Sequence, residues 1–77
     1  MVRAYVLIKV EAGKIKDIRD QLKTTSNVDN VDSVTGPTDL IAQVSAESAR
    51  ALADLIFTSI QTISGVKETD THIIIDS

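Results

Sequence analysis

Not one cysteine occurs among the 77 residues, and His72 is the single histidine. A chain this short hides only about 60% of the surface it exposes when unfolded. Ordering it costs on the order of 1.5 kcal/mol per residue. Domains of this size ordinarily offset that cost with disulfides, a metal or self-association. Without cysteine there is no disulfide and no thiolate-held zinc or iron–sulfur site. One histidine cannot build a multi-histidine metal cage. No metal or other cofactor is therefore expected, and self-association is the remaining staple.

The amino-acid mixture excludes further classes. Hydrophobic residues make up 43% and charged residues 25%, which is a globular rather than a disordered composition. The net charge of -3 leaves no basic patch to neutralise a run of phosphates, so direct nucleic-acid binding is not expected. Apolar runs are only a few residues long, too short for a membrane span. Met1-Val2-Arg3 does not open a signal peptide. A cytoplasmic location is the default.

Two hydrophobic periods alternate along the chain. From Ala4 to Val10 the side chains alternate, with Ala4, Val6, Ile8 and Val10 on one side and Tyr5, Leu7, Lys9 and Glu11 on the other. That period predicts a strand ended by Gly13. Ile15, Ile18 and Leu22 then recur at helical spacing, predicting a helix over roughly 13–24. Val28 to Thr35 mixes three valines with Asp, Asn and Ser, and reads as a polar strand suited to a sheet edge. Asp29 and Asp32 are its solvated charges. Gly36-Pro37-Thr38-Asp39 is a turn. Leu40–Ala46 is a second strong strand. Ser45 is placed to cap the next helix, with Glu47 in its first turn. Ala49, Leu52, Ala53, Ile56, Ile60 and Ile63 form its apolar stripe, and Gly65 stops it. Val66 to Ile75 is a β-branched last strand, with His72 expected to be partly buried in it.

The order βαββαβ predicts an α+β, ferredoxin-like sandwich with both helices on one sheet face. The other face should then be polar. It is not: Val6, Leu7 and Ile8 are consecutive, as are Leu40 and Ile41, and Ile73, Ile74 and Ile75. Tyr5, Leu7, Ile41 and one parity of the last run, taken as Ile74, are therefore expected on the bare face. A patch of this kind marks an interface. Four such side chains per subunit at ~1.5–3 kcal/mol each give about 12–24 kcal/mol for a symmetric pair, against the ~4–15 kcal/mol that association costs. A homodimer with two sheets facing one another is expected.

Three stretches carry a resemblance. They are Ala4-Tyr5-Val6-Leu7-Ile8-Lys9-Val10-Glu11-Ala12-Gly13, Val34-Thr35-Gly36-Pro37-Thr38-Asp39-Leu40 and Ile63-Ser64-Gly65-Val66-Lys67-Glu68-Thr69-Asp70-Thr71. In order and spacing they resemble the effector domain of the Lrp/AsnC (feast/famine) transcription regulators, the RAM domain. The resemblance covers essentially the whole chain. It implies a dimeric α/β-barrel-type assembly, with dimers joined into octamers or similar rings. It also implies a free amino acid as effector and full-length family members as partners. Those members carry a helix-turn-helix. Here the first strand starts at once, so a single domain over 1–77 without one is expected, as in stand-alone RAM proteins.

The resemblance further implies an effector site between dimers. Gly36 and Asp39 match its hairpin signature, Thr38 stands where an aromatic is common, and Thr69 and Thr71 match a Thr-x-Thr of the last strand. The chemistry suits a free amino acid. Asp39 could meet the ammonium, while the Gly36 loop and the hydroxyls of Thr38, Thr69 and Thr71 could meet the carboxylate. Read alone, Gly-Pro-Thr-Asp is an ordinary turn and threonine is an ordinary strand residue.

Other functions of this topology lack their residues. RNA-recognition motifs stack bases on central-strand aromatics, and Leu40–Ala46 has none. A metal chaperone would need paired cysteines. A small dimeric α+β-barrel enzyme would need a base in a pocket, and no nucleophile–base pair stands at useful spacing. Such an enzyme, with only His72 or a carboxylate to serve as base, and a pure oligomerisation module without ligand are the alternatives to an amino-acid sensor. No enzymatic activity is expected.

Overall fold

The computed structural model describes residues 1–75. It consists of strand β1 (Val2–Val10), helix α1 (Ile15–Lys23), strands β2 (Val28–Ser33) and β3 (Leu40–Ala46), helix α2 (Ala49–Leu55), a π-helical turn (Ile56–Ile60) and strand β4 (Val66–Ile73). The strands form one antiparallel sheet in the order β2-β3-β1-β4. This is the expected ferredoxin-like βαββαβ sandwich. The polar strand β2 lies at one edge, as its Asp and Asn content suggested, and β4 lies at the other.

The alternation of the two central strands builds the core. Ala4, Val6 and Ile8 of β1 and Leu40, Ala42 and Val44 of β3 are wholly buried. The pairings Ala4↔Val44, Val6↔Ala42 and Ile8↔Leu40 place these residues side by side on one face. Ile18 and Leu22, one helical turn apart, cover them from α1. Leu52, Leu55, Ile56 and Ile60 cover them from α2 and the π-helical turn.

The second helix departs from expectation at both ends. Ser45 is not its cap. The first strand begins at Val2, and the pairs Val2↔Ala46 and Arg3↔Ser45 hold Ser45 in the sheet. Ser48 does the capping, its Oγ accepting from Ala51 N at 3.0 Å. The stripe from Ala49 to Ile63 is also not one regular helix. At Ile56 the coil widens, and Gln61 N donates to Ile56 O at 2.8 Å. The wider turn buries both Ile56 and Ile60 and leaves Phe57 60% exposed.

His72 is exposed rather than partly buried. Its position opposite Tyr5 puts it on the face away from the helices. The last strand also ends at Ile73, two residues before expectation.

One glycine fastens the end of β1 to the start of β4. Gly65 has φ +98°, and its carbonyl accepts from Glu11 N at 2.8 Å. A Cβ there would lie 3.1 Å from Ile18 Cδ1 and 3.1 Å from Lys14 Cγ. The Gly65→Ala variant should lose about 1–3 kcal/mol through the unfavourable φ and this crowding. Urea denaturation of the two proteins measures the difference.

Candidate functional site

The pairing register sorts the uncovered face into rows. Arg3, Tyr5, Leu7 and Lys9 of β1 stand between Ser45, Gln43 and Ile41 of β3 and the row His72, Asp70 and Glu68 of β4. Asp32 and Asn30 border the far side, opposite Ile41 and Gln43. Tyr5 is 44% exposed, and Leu7, Ile41 and Ile74 are half-buried. Ile74 lies just past β4, its N–H donating to Arg3 O at 2.8 Å. By the alternation of the strand it joins the uncovered face, whereas Ile73 sits opposite Ala4 on the helix side. The face thus has an apolar centre of Tyr5, Leu7 and Ile41 with charged margins.

At one corner of this face lies the β2–β3 hairpin. Gly36 turns it with φ +113° and no atom within reach of an added Cβ. Asp39 ties the hairpin to the end of β1. Its Oδ2 accepts from Val10 N at 3.0 Å, and its own N–H donates to Ile8 O at 3.1 Å. The β1–β4 ladder slips its register between Lys9 and Val10. The carboxylate of Asp39 thus serves the N–H of Val10, beside the point where the β4 ladder shifts. One oxygen of Asp39 is occupied by this bond.

The five hairpin and strand residues do not converge on one point. Thr38 and Thr69 line a common groove with Leu7, Lys9, Glu68 and Asp70, at the corner between hairpin and β4. Thr71 lies in a second, more apolar groove, between β4 and the α2–π segment, lined also by Leu52, Phe57 and Ile73. Thr69 borders both, and its Oγ1 accepts from Gln61 Nε2 at 2.8 Å. Lys9, Glu68 and Asp70 entered no sequence-based site. They are far apart in the chain, and only the pairs Lys9↔Glu68 and Leu7↔Asp70 bring them together. Among the described residues no three His, Asp or Glu side chains gather as a metal site, and no helix is long and apolar enough to cross a membrane.

This architecture can be set beside known proteins. The family model of the Lrp/AsnC ligand binding domain matches residues 3–77. The chain belongs to this family. A helix-turn-helix-type transcriptional regulator of Pyrococcus furiosus, itself uncharacterised, is 30% identical to the Lrp/AsnC domain described here over 71 residues, which are 92% of this chain and 48% of the regulator. The chain therefore spans about half the length of the curated relatives it matches. The protein TTHA0845 of Thermus thermophilus superimposes with a TM-score of 0.94 at 30% identity, covering 100% of this chain and 96% of that one. A transcriptional regulator of Neisseria meningitidis, solved as an L-Met complex, shares the fold at a TM-score of 0.84 and 16% identity, over 97% of this chain and 50% of its own. The Lrp/AsnC domain is thus the ligand-binding, regulatory type found in transcriptional regulators.

The bond from Val10 to Asp39 links hairpin and sheet and is partly buried. Removing its charged acceptor in Asp39→Ala should lower stability by about 1.5–3 kcal/mol. Asp39→Asn keeps an oxygen at the same place and should recover most of the loss. Chemical denaturation of the three proteins in parallel reads both effects.

Proposed function

We propose that this domain senses a free amino acid and converts binding into a change of self-assembly. The observation that carries the reading is the sheet face that no helix covers. Tyr5, Leu7 and Ile41 form its apolar centre, with Ile74 beside Arg3. Charged and polar side chains surround that centre, which is the anatomy of a protein–protein interface. A second copy laid face to face covers the centre and takes its apolar side chains out of water. Dimers of this kind then join into rings, with the hairpin corners at their contacts.

The effector lies at that corner. Gly36 allows close approach to the hairpin backbone. Thr38 offers a hydroxyl there, Thr69 borders the same groove, and Asp39 retains one carboxylate oxygen beyond the bond to Val10. The L-Met complex of the Neisseria meningitidis regulator supports an amino acid as the ligand class. An effector at a contact between subunits shifts assembly only by its difference in affinity for the assembled and separated states. Such a domain acts on metabolism or transcription through the proteins it assembles with, including full-length regulators of its own family.

Multi-angle light scattering with and without each common L-amino acid tests the reading. The expected result is a dimer or larger species whose mass changes with at least one amino acid. A folded monomer at micromolar concentration, indifferent to all of them, would overturn it. The double variant Leu7→Asp, Ile41→Asp should elute as a monomer, because four unpaired carboxylates would be buried in each pair of subunits.

A further inference from the structure

Building on that reading, we infer that Lys9 and Asp70 clamp the two charged ends of the amino acid, across the floor made by Leu7. Asp39 is the natural partner for an ammonium from the sequence, yet one of its oxygens is committed to Val10 N at 3.0 Å. The groove beside the hairpin offers another carboxylate and, in addition, a cation. Leu7, Lys9, Thr38, Glu68, Thr69 and Asp70 line it.

The register gives the two charges their separation. Lys9 pairs with Glu68 and Leu7 with Asp70. Lys9 and Asp70 are thus diagonal neighbours on adjacent antiparallel strands, about 7–8 Å apart at the backbone. An ammonium and a carboxylate on one carbon bridge such a gap, accepting from one end and donating to the other. Leu7, half-buried between them, presents an apolar floor. Thr38 supplies a hydroxyl at the hairpin side.

Both charges are held only by exposed partners and can turn to a ligand. The present partner of Lys9 is Glu68 Oε2 at 3.5 Å, with the two side chains 47% and 70% exposed. An exposed pair of that length holds Lys9 only weakly. Asp70 has Oδ2 at 3.3 Å from His72 Nε2, and its side chain is 74% exposed. Among the described residues its Oδ1 has no hydrogen-bond partner. The groove opens at the corner of the uncovered face and reaches inward as far as Leu7, at the border of the apolar centre. In a face-to-face pair of subunits it lies at the margin, where a small molecule can enter and be partly covered.

Titration calorimetry with each common L-amino acid, and then with the amide and the N-acetyl derivative of the one that binds, tests the clamp. Lys9→Met should weaken the free amino acid at least about tenfold, the scale of one charge-assisted hydrogen bond, and leave the amide unaffected. Asp70→Asn should weaken the free amino acid similarly and leave the N-acetyl derivative unaffected. Both positions are exposed, so thermal melting of the variants should match the parent. Wild-type affinity in both variants, with an amino acid still bound, overturns the clamp and leaves the sensing function standing. Binding of no amino acid by the parent protein overturns both.

Discussion

Two helices can cover only one side of a four-stranded sheet, and every other feature of this domain answers to that limit. Side chains of a strand alternate strictly between faces. Once Val6, Ile8, Ala42 and Val44 are buried beneath α1 and α2, Tyr5, Leu7 and Ile41 must point away from them. Their apolar character is thus not a fault of packing. It belongs to the surface proposed above as the dimer interface. The same alternation brings Lys9, Glu68, Asp70 and His72 onto that surface, at the β4 margin.

At the hairpin corner, residues proposed for binding also carry a structural duty. Asp39 joins the β2–β3 turn to the end of β1, and Gly65 joins the start of β4 to Glu11. These bonds set where Thr38 stands relative to Lys9. Flexibility in either would blur the groove between hairpin and β4. A residue type that looks chemically apt for a ligand, as Asp39 does, can therefore serve the scaffold.

Much of the fold was legible in the sequence because it rests on short-range period. The limits of β3 follow from its alternation, and the edge position of β2 follows from its Asp and Asn content. The misreadings came from long-range terms. Ser45 resembles a cap locally, but its pairing with Arg3, far earlier in the chain, keeps it in the sheet. The stripe of Ile56 and Ile60 fits a regular helix, yet the turn widens to bury both. His72 is exposed because its face depends on the register with Tyr5. The candidate site was legible only as residue types. That Thr38 and Thr69 share a groove while Thr71 borders another follows from strand pairing, which no local motif encodes.

The two edges of the sheet carry a further consequence. Asp29, Asn30 and Asp32 mark the β2 margin, and Lys67, Glu68, Asp70 and His72 mark that of β4. Charged edges resist the strand-by-strand addition that would lengthen a sheet without end. In the proposed dimer, association is thereby steered to the apolar face, and a face laid against its own copy by a two-fold axis is used up in the act. The pattern of charge along two outer strands thus separates a finite assembly from a fibre.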